Sequence, residues 1–382
     1  MIARILGRWS LASLIIASVL IMVPVLFLPA CSSGGQPAAQ PTQAAAKPAS
    51  QPAQPAANPA AQPAQSAPKP AGQVVELRAG CGNPKGDVTC IGLDALAEIV
   101  EKKSNGELVV RNFYNSLGSQ TQLAQSVMQG SVDIGQVSNG NAAAITSGFL
   151  VYDLPFLFKS YDNILKSLDG PIGRKAIETL EKDTSVKYLF SASYGASRDI
   201  QTRHKQIKTP ADIKGLKVRV VNTPIDLATV KSWGANPTVV EWAQLYPALQ
   251  QGVVDGMNAI ITGLKVAKWY EVVKYNIRLD YQAIFEPMFV NGKKFASLSP
   301  QHQKILLEAA VEADARNRKE AAERVTQDTA ELKQQGMQIY EPTKEDLAQW
   351  TATRESVWKE VAEQQKGKID LDVASQLYQS QQ

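Results

Sequence analysis

From Val74 onward the chain alternates short strand-like runs with helix-like stretches, and this rhythm restricts the fold more than any other feature. Val74 to Ala79 reads as a strand. Leu93, Leu96, Ala97, Ile99 and Val100 then fall at helical spacing and predict a helix from Leu93 to Lys103. A strand from Glu107 to Tyr114 follows the Asn105-Gly106 turn, a helix capped by Ser119 runs to Gly130, and Val132 to Val137 is a strand again. The same order returns with a strand from Lys187 to Ser193, helices over Pro224–Trp233 and Trp242–Gln251, and a strand from Val253 to Met257. Such alternation predicts an α/β fold whose sheets are mostly parallel and flanked by helices.

Two stretches look alike. Gln129-Gly130-Ser131-Val132-Asp133 and Gln251-Gly252-Val253-Val254-Asp255 each close a helix with glycine and enter a strand through Val-Asp. Glycine there supplies a left-handed C-cap. The body from Val74 spans about three hundred residues, more than one ordinary core, so two lobes of similar build are expected. Ser299-Pro300 opens a helix whose apolar face is Ile305, Leu306, Ala309, Ala310 and Ala313. Helical character persists to Gly336, long enough to bridge both lobes, and Thr343 with Asp346 forms a capping box for a last helix.

The segment before the body is of another kind. Arg4 and Arg8 precede an uncharged apolar stretch from Leu11 to Leu28, and Leu28-Pro29-Ala30-Cys31 follows. That order is a secretory signal, and a cysteine just after it resembles a bacterial lipobox; an uncleaved membrane anchor is the alternative. Ser32 to Gln73 is mostly Pro, Ala, Gln and Ser, with Lys47 and Lys69 as its only charges and no Leu, Ile, Val or aromatic residue, so it has nothing with which to build a core. Its reach lies between about 35 Å as a coil and about 125 Å fully extended. Both readings of the leader place the body outside the cytoplasmic membrane, tethered by a leash. Setting aside Arg4 and Arg8 leaves 38 basic against 36 acidic residues, without a basic stripe, which argues against nucleic acid. Cys81 and Cys90, nine positions apart in an oxidising compartment, predict a local disulfide, with two buried thiols as the alternative.

Catalysis finds little support. The only histidines, His204 and His302, are not at metal-ligand spacing, and neither a phosphate loop nor a nucleophile elbow is present, so no metal or cofactor is expected. Binding is better supported. In Gly215-Leu216-Lys217-Val218-Arg219-Val220-Val221 a charge interrupts an apolar strand, and its planar fork suits a carboxylate. Arg198 lies just past the strand ending at Ser193, where ligands of open α/β sheets bind.

Thr209-Pro210-Ala211-Asp212-Ile213-Lys214-Gly215-Leu216-Lys217-Val218-Arg219-Val220 resembles the signature of DctP-type solute-binding proteins of TRAP transporters. Gly234-Ala235-Asn236-Pro237 and Leu245 to Gly256 continue the pattern in order, and Asp153-Leu154-Pro155-Phe156-Leu157-Phe158 agrees with it in the first lobe. The resemblance implies a two-lobed periplasmic-binding-protein-like fold, each lobe a mixed, mostly parallel sheet, with a long C-terminal helix crossing both. The expected division is 1–31 signal and lipobox, 32–73 linker, 74–195 plus 285–325 for one lobe, and 196–284 plus 326–382 for the other.

The same resemblance makes Arg219 the main ligand contact and Arg198 the second. One extra residue separates the two, so Arg203 stays as an alternative. The family's usual Asn after Val-Asp-Gly is replaced by Ala259, so that contact is lost or Asn258 takes it over. Asn139 and Asn141, with Ser138, follow a strand end and are candidate donors; turn chemistry is the plainer reading of Asn139-Gly140. Trp242 is a candidate wall, Asn83 and Asp87 candidate edges of the cleft, and Phe156 and Phe158 packing residues.

The function expected is a monomeric, lipid-anchored extracytoplasmic receptor that captures a small carboxylate and delivers it to a TRAP membrane permease. A ligand-sensing lipoprotein feeding a signalling partner is the alternative. An enzyme on this architecture would have to turn over the bound acid.

Overall fold

The computed structural model describes residues 74–381, so Cys31, the apolar leader and the linker lie outside the described residues. Eleven strands are described: β1 (Val75–Cys81), β2 (Leu108–Tyr114), β3 (Ile134–Gln136), β4 (Val186–Ser193), β5 (Arg198–Thr202), β6 (Lys217–Val220), β7 (Asn236–Val239), β8 (Gly256–Ala259), β9 (Tyr275–Gln282), β10 (Phe285–Asn291) and β11 (Gln338–Tyr340). They form two sheets, β2-β1-β3-β10-β4 and β11-β9-β5-β8-β6-β7. Every pairing is parallel except those of β10 in the first and β5 in the second. Those two strands cross between lobes. β5 arrives from β4 through Tyr194–Ser197, and β10 arrives from β9 through Ala283 and Ile284, so each enters its new sheet against the local direction.

The inner part of each sheet is built the same way. The order β2-β1-β3-β10 matches β7-β6-β8-β5 in both connection and direction. Gly130 (φ 82°) and Gly252 (φ 75°) take the left-handed conformation, and Ser131 N–H to Ser126 C=O (3.0 Å) matches Val253 N–H to Ala248 C=O (2.9 Å). The aspartates that follow clamp the neighbouring strand identically. Asp133 accepts from the Arg78 N–H (2.7 Å), and Asp255 accepts from that of Lys217 (2.9 Å).

The helix Pro300–Gln334, 35 residues long, ties the lobes together. Leu306, Ala309, Ala310 and Ala313 join the core of β1 and the helix Val88–Lys103, whereas Leu332 joins Leu245, Leu249 and Met257 in the second lobe. Where the Tyr194–Ser197 connection passes it, Gly195 (φ +72°) lies so close that a Cβ would sit 2.6 Å from the Ala321 carbonyl oxygen. Glycine is needed there for both its conformation and its size.

Some element bounds differ from expectation, for physical reasons. The first helix begins at Val88, because Asp87 caps it by accepting from the Thr89 N–H (3.0 Å). The stretch Trp242–Gln251 opens as a 3-10 turn, Trp242–Gln244, and becomes a helix only over Leu245–Gln250. That places Pro247, which has no N–H, in the first turn, where none is needed. The strand expected at Val253–Met257 is β8, Gly256–Ala259, since Val253 is consumed by the helix cap. Residues expected in the second lobe also reach the first. Trp350 packs on Trp233 in the second, but Val357, Trp358, Val361 and Leu377 join a core with both Tyr152 and Phe158 and with Ile225 and Ala228. A disulfide joins Cys81 to Cys90, with Cα atoms 5.9 Å apart, and pins the end of β1 to the first helix.

Candidate functional site

Between the strand ends of the two sheets lies a cavity of about 390 Å³, at the lower end of the range for small-molecule sites. Its second-lobe wall is made by Arg198, Arg219, Asn258, Ala259 and the stretch Val240–Gln244; its first-lobe wall includes Asn83, Gln120, Ser138, Asn141 and Tyr194.

Arg219 is the third residue of β6 and only 4% exposed. Its Nε donates to the Val240 carbonyl (2.9 Å), and one terminal nitrogen lies 3.4 Å from Asn258 Oδ1 and 3.5 Å from its carbonyl. Among the described residues no carboxylate stands within ion-pair distance of it. Burial, reinforced by the positive charge of Arg198 and only partly offset by the more distant Asp226 and Glu241, brings its pKa down to about 10, so it stays protonated at neutral pH as a cation with no directly paired acid.

Arg198 opens β5 and is equally buried, but it is already paired. It donates to both carboxylate oxygens of Asp226 (3.2 and 3.1 Å) and to Gln282 (2.8 Å). Burial opposes its charge, yet the acidic neighbours, Asp226 foremost, raise its pKa above the ordinary value. The two arginines therefore differ in role: one is neutralised by the protein and the other is not.

The other expected site residues separate into three groups. Asn141 and Trp242 line the cavity. Trp242 is held edge-on against Trp269, with centroids 4.2 Å apart, while Asn141 donates to Gln120 (3.0 Å) and Ser138 (2.8 Å). Asn83 and Asn258 also lie on the wall, but their side chains are spent on the protein. Asn83 donates to Tyr194 (2.7 Å), Glu286 (2.8 Å) and Thr89 (3.0 Å) and accepts from Gln120 (3.1 Å). Asn258 donates to Asp226 (2.9 Å) and the Tyr281 hydroxyl (3.0 Å). It thus holds Asp226 and Arg219 in place, and Ala259 beside it lines the cavity without a polar group.

Asn139 is a correction. It is 1% exposed and is not a cavity-lining residue; it bonds to Asp153, the Ala283 carbonyl and the Phe285 N–H, where β9 passes into β10. Arg203 is not on the cavity wall either. Its guanidinium stands beside Gly252, and its backbone N–H bonds to the Asp255 carbonyl (3.0 Å). Phe156 packs with Trp233 and Tyr281, and Phe158 stacks on Tyr152.

Glu286 and Asp226 organise the site without standing out in the sequence. Glu286 is fully buried behind the first-lobe wall and accepts from Gln136 (2.6 Å), Tyr194 (2.6 Å) and Asn83. A signal for it exists: like Arg219, it is a charge inside an apolar run, Ile284-Phe285-Glu286-Pro287-Met288. Asp226 looks like an ordinary first-turn acid of the helix Pro224–Ser232, which it also is. Among the described residues no group of three or more His, Cys, Asp or Glu could hold a metal, and no helix is long and apolar enough to cross a membrane.

Residues 80–365 match the family model described as bacterial extracellular solute-binding protein, family 7, DctP. The chain is 31% identical over 266 residues to the 2,3-diketo-L-gulonate-binding periplasmic protein YiaO of Escherichia coli, covering 69% of this chain and 80% of that protein. It is 25% identical over 279 residues to the C4-dicarboxylate-binding protein DctB of Bacillus subtilis, covering 72% and 78%. A TRAP periplasmic solute-binding protein of Roseobacter denitrificans with bound β-D-glucuronate has a similar structure, with a TM-score of 0.74 and 26% identity over 80% of this chain and 100% of that one. With two sheets flanked by helices, a helix spanning both lobes and a cleft holding an unneutralised arginine, the chain belongs to the DctP family of extracellular solute-binding proteins, a family of receptors rather than enzymes.

Proposed function

We propose that this protein is an extracytoplasmic receptor that captures an organic acid through Arg219 and delivers it to the membrane permease of a TRAP transporter. The observation that carries this reading is the contrast between two neighbouring buried arginines: Arg198 is in contact with Asp226, whereas Arg219 has no acid within ion-pair distance, Asp226 and Glu241 acting on it only from further away. A buried cation without a counter-ion is costly, and a ligand carboxylate would supply that counter-ion. The molecules named for the relatives, a diketogulonate, a glucuronate and C4-dicarboxylates, all carry such a group. Closure of the lobe bearing Arg219 onto the first lobe would remove water from the pair, so that binding itself favours the closed state.

The test is a thermal-shift screen of organic acids followed by calorimetry on the strongest binder. At a hundred times its dissociation constant, the ligand stabilises the wild type by about 2.7 kcal/mol. Arg219→Ala is expected to cost about 2–5 kcal/mol of affinity, roughly 30-fold to several thousand-fold. Affinity within threefold of wild type would sink the assignment. We also infer from the leader sequence that Cys31 carries a lipid that holds the receptor at the membrane. Cys31→Ser should then move the protein from the membrane to the soluble fraction, and unchanged fractionation would point to an uncleaved apolar anchor instead.

A further inference from the structure

The charges around the cavity are unevenly divided between its walls. Both cations, Arg198 and Arg219, come from the second lobe, and none of the first-lobe residues lining the cavity is positively charged. Arg198 is neutralised by Asp226, and the exposed Glu241 stands at the rim on the Arg219 side. At most one positive charge is therefore left for a ligand.

The opposite wall offers Asn115, Ser116, Ser119, Gln120 and Asn141, all neutral groups that can exchange hydrogen bonds, while the Tyr194 hydroxyl is taken up by Glu286 and Asn83. Behind them lie two buried acids, Glu286 and Asp87, both touched by the Asn83 amide at 2.8 and 3.4 Å. A second ligand carboxylate on this side would meet acids and no cation. A hydroxyl would meet donors and acceptors in both directions.

Resting on the carboxylate reading above, we propose that the ligand is a monocarboxylate with a hydroxylated tail, a sugar acid in chemical class, and that Glu286 is the residue that excludes a second carboxylate from the first-lobe wall.

Matched acids test this by isothermal calorimetry on the full-length protein. The hydroxylated monoacids are gluconate, galactonate, glucuronate and threonate. Glucarate and tartrate carry hydroxyls with a second carboxylate, succinate is a dicarboxylate without hydroxyls, and hexanoate has the chain without hydroxyls. At least one hydroxylated monoacid should bind about 100-fold or more tighter than glucarate, succinate and hexanoate, since like charges juxtaposed in a site cost several kcal/mol. Glu286→Gln, with folding checked by thermal melting, should narrow the gap between that monoacid and its matched diacid by about tenfold.

Tight binding of glucarate or succinate that Arg219→Ala abolishes would overturn this inference while leaving the Arg219 reading intact. Binding of any acid that survives Arg219→Ala overturns that reading. A panel in which no acid binds overturns both. A ratio unchanged within twofold in a folded Glu286→Gln protein removes Glu286 from the role. Should that variant not fold, Glu286→Asp takes its place: drawing the carboxyl back by one methylene should shift the same ratio, and a ratio within twofold of wild type removes Glu286 from the role.

Discussion

The two lobes share one plan and differ in charge at the same places. Counting from the aspartate clamps, Gly80 of β1 pairs with Gly135 of β3 as Arg219 of β6 pairs with Met257 of β8. Met288 opposite Gln136 then corresponds to Ile200 opposite Asn258, so Glu286 on one crossing strand occupies the place of Arg198 on the other. Six residues after Cys81 stands Asp87, and six after Val220 stands Asp226. The second lobe therefore joins a cation to an acid at its crossing strand, and the first sets two acids side by side. Where the second lobe adds Arg219, the first has glycine, with Leu123 against it. A duplicated scaffold of this kind supplies rigid, equivalent strand ends, and a few side chains at those ends decide which wall receives the charged end of a ligand.

Removing the partner of the buried arginine strikes that difference hardest. Asp226 accepts from Arg198, from the Asn258 amide (2.9 Å) and from the Val221 N–H (3.1 Å). Asp226→Ala leaves a buried guanidinium without its nearest acid and should destabilise the fold by about 3–5 kcal/mol, measured by chemical denaturation. A loss below about 1 kcal/mol would mean that Arg198 finds water or another acid, and that the second lobe is not balanced as described.

Much of this plan is legible in the residues, because the relevant signals are local. Ser119 followed by Gln122 closes a capping box, glycines 130 and 252 end their helices, and a lone charge inside an apolar strand marks Arg219. What is not legible depends on which distant groups meet. Asn139-Gly140 looks the same whether its amide faces a ligand or a chain crossing; contact with Ala283 and Phe285, more than 140 positions away, decides it. Arg198 and Arg203 are five apart at one end of a strand and at the start of the following turn, and only the sheet register turns the first into the cleft. Glu286 obeys the same local rule as Arg219, but its meaning comes from Asn83, Gln136 and Tyr194, supplied by three separate segments.

The paired acids of the first lobe make a smaller, opposite prediction. Burial first, and the charge of Glu286 second, push the Asp87 carboxyl up to about 7, and burial raises Glu286 as well. In the unfolded chain an aspartate titrates near 4, so between about pH 4 and pH 7 the folded protein retains a proton that the unfolded chain has lost. The contribution of such a group is fully present below pH 4 and declines as pH rises through its folded pKa. Asp153, at about 8, and Asp199, at about 7, act with the same sign and lie elsewhere, so the whole protein should lose stability from pH 5 to pH 8. Asp87→Asn keeps the shape of the side chain and removes the titrating proton. It should flatten that decline by about 2–4 kcal/mol, read from denaturation midpoints at each pH. A pH profile parallel to wild type would show that the two acids do not share the penalty of burial, and the charge contrast between the lobes would then rest on Arg198, Arg219 and Asp226 alone.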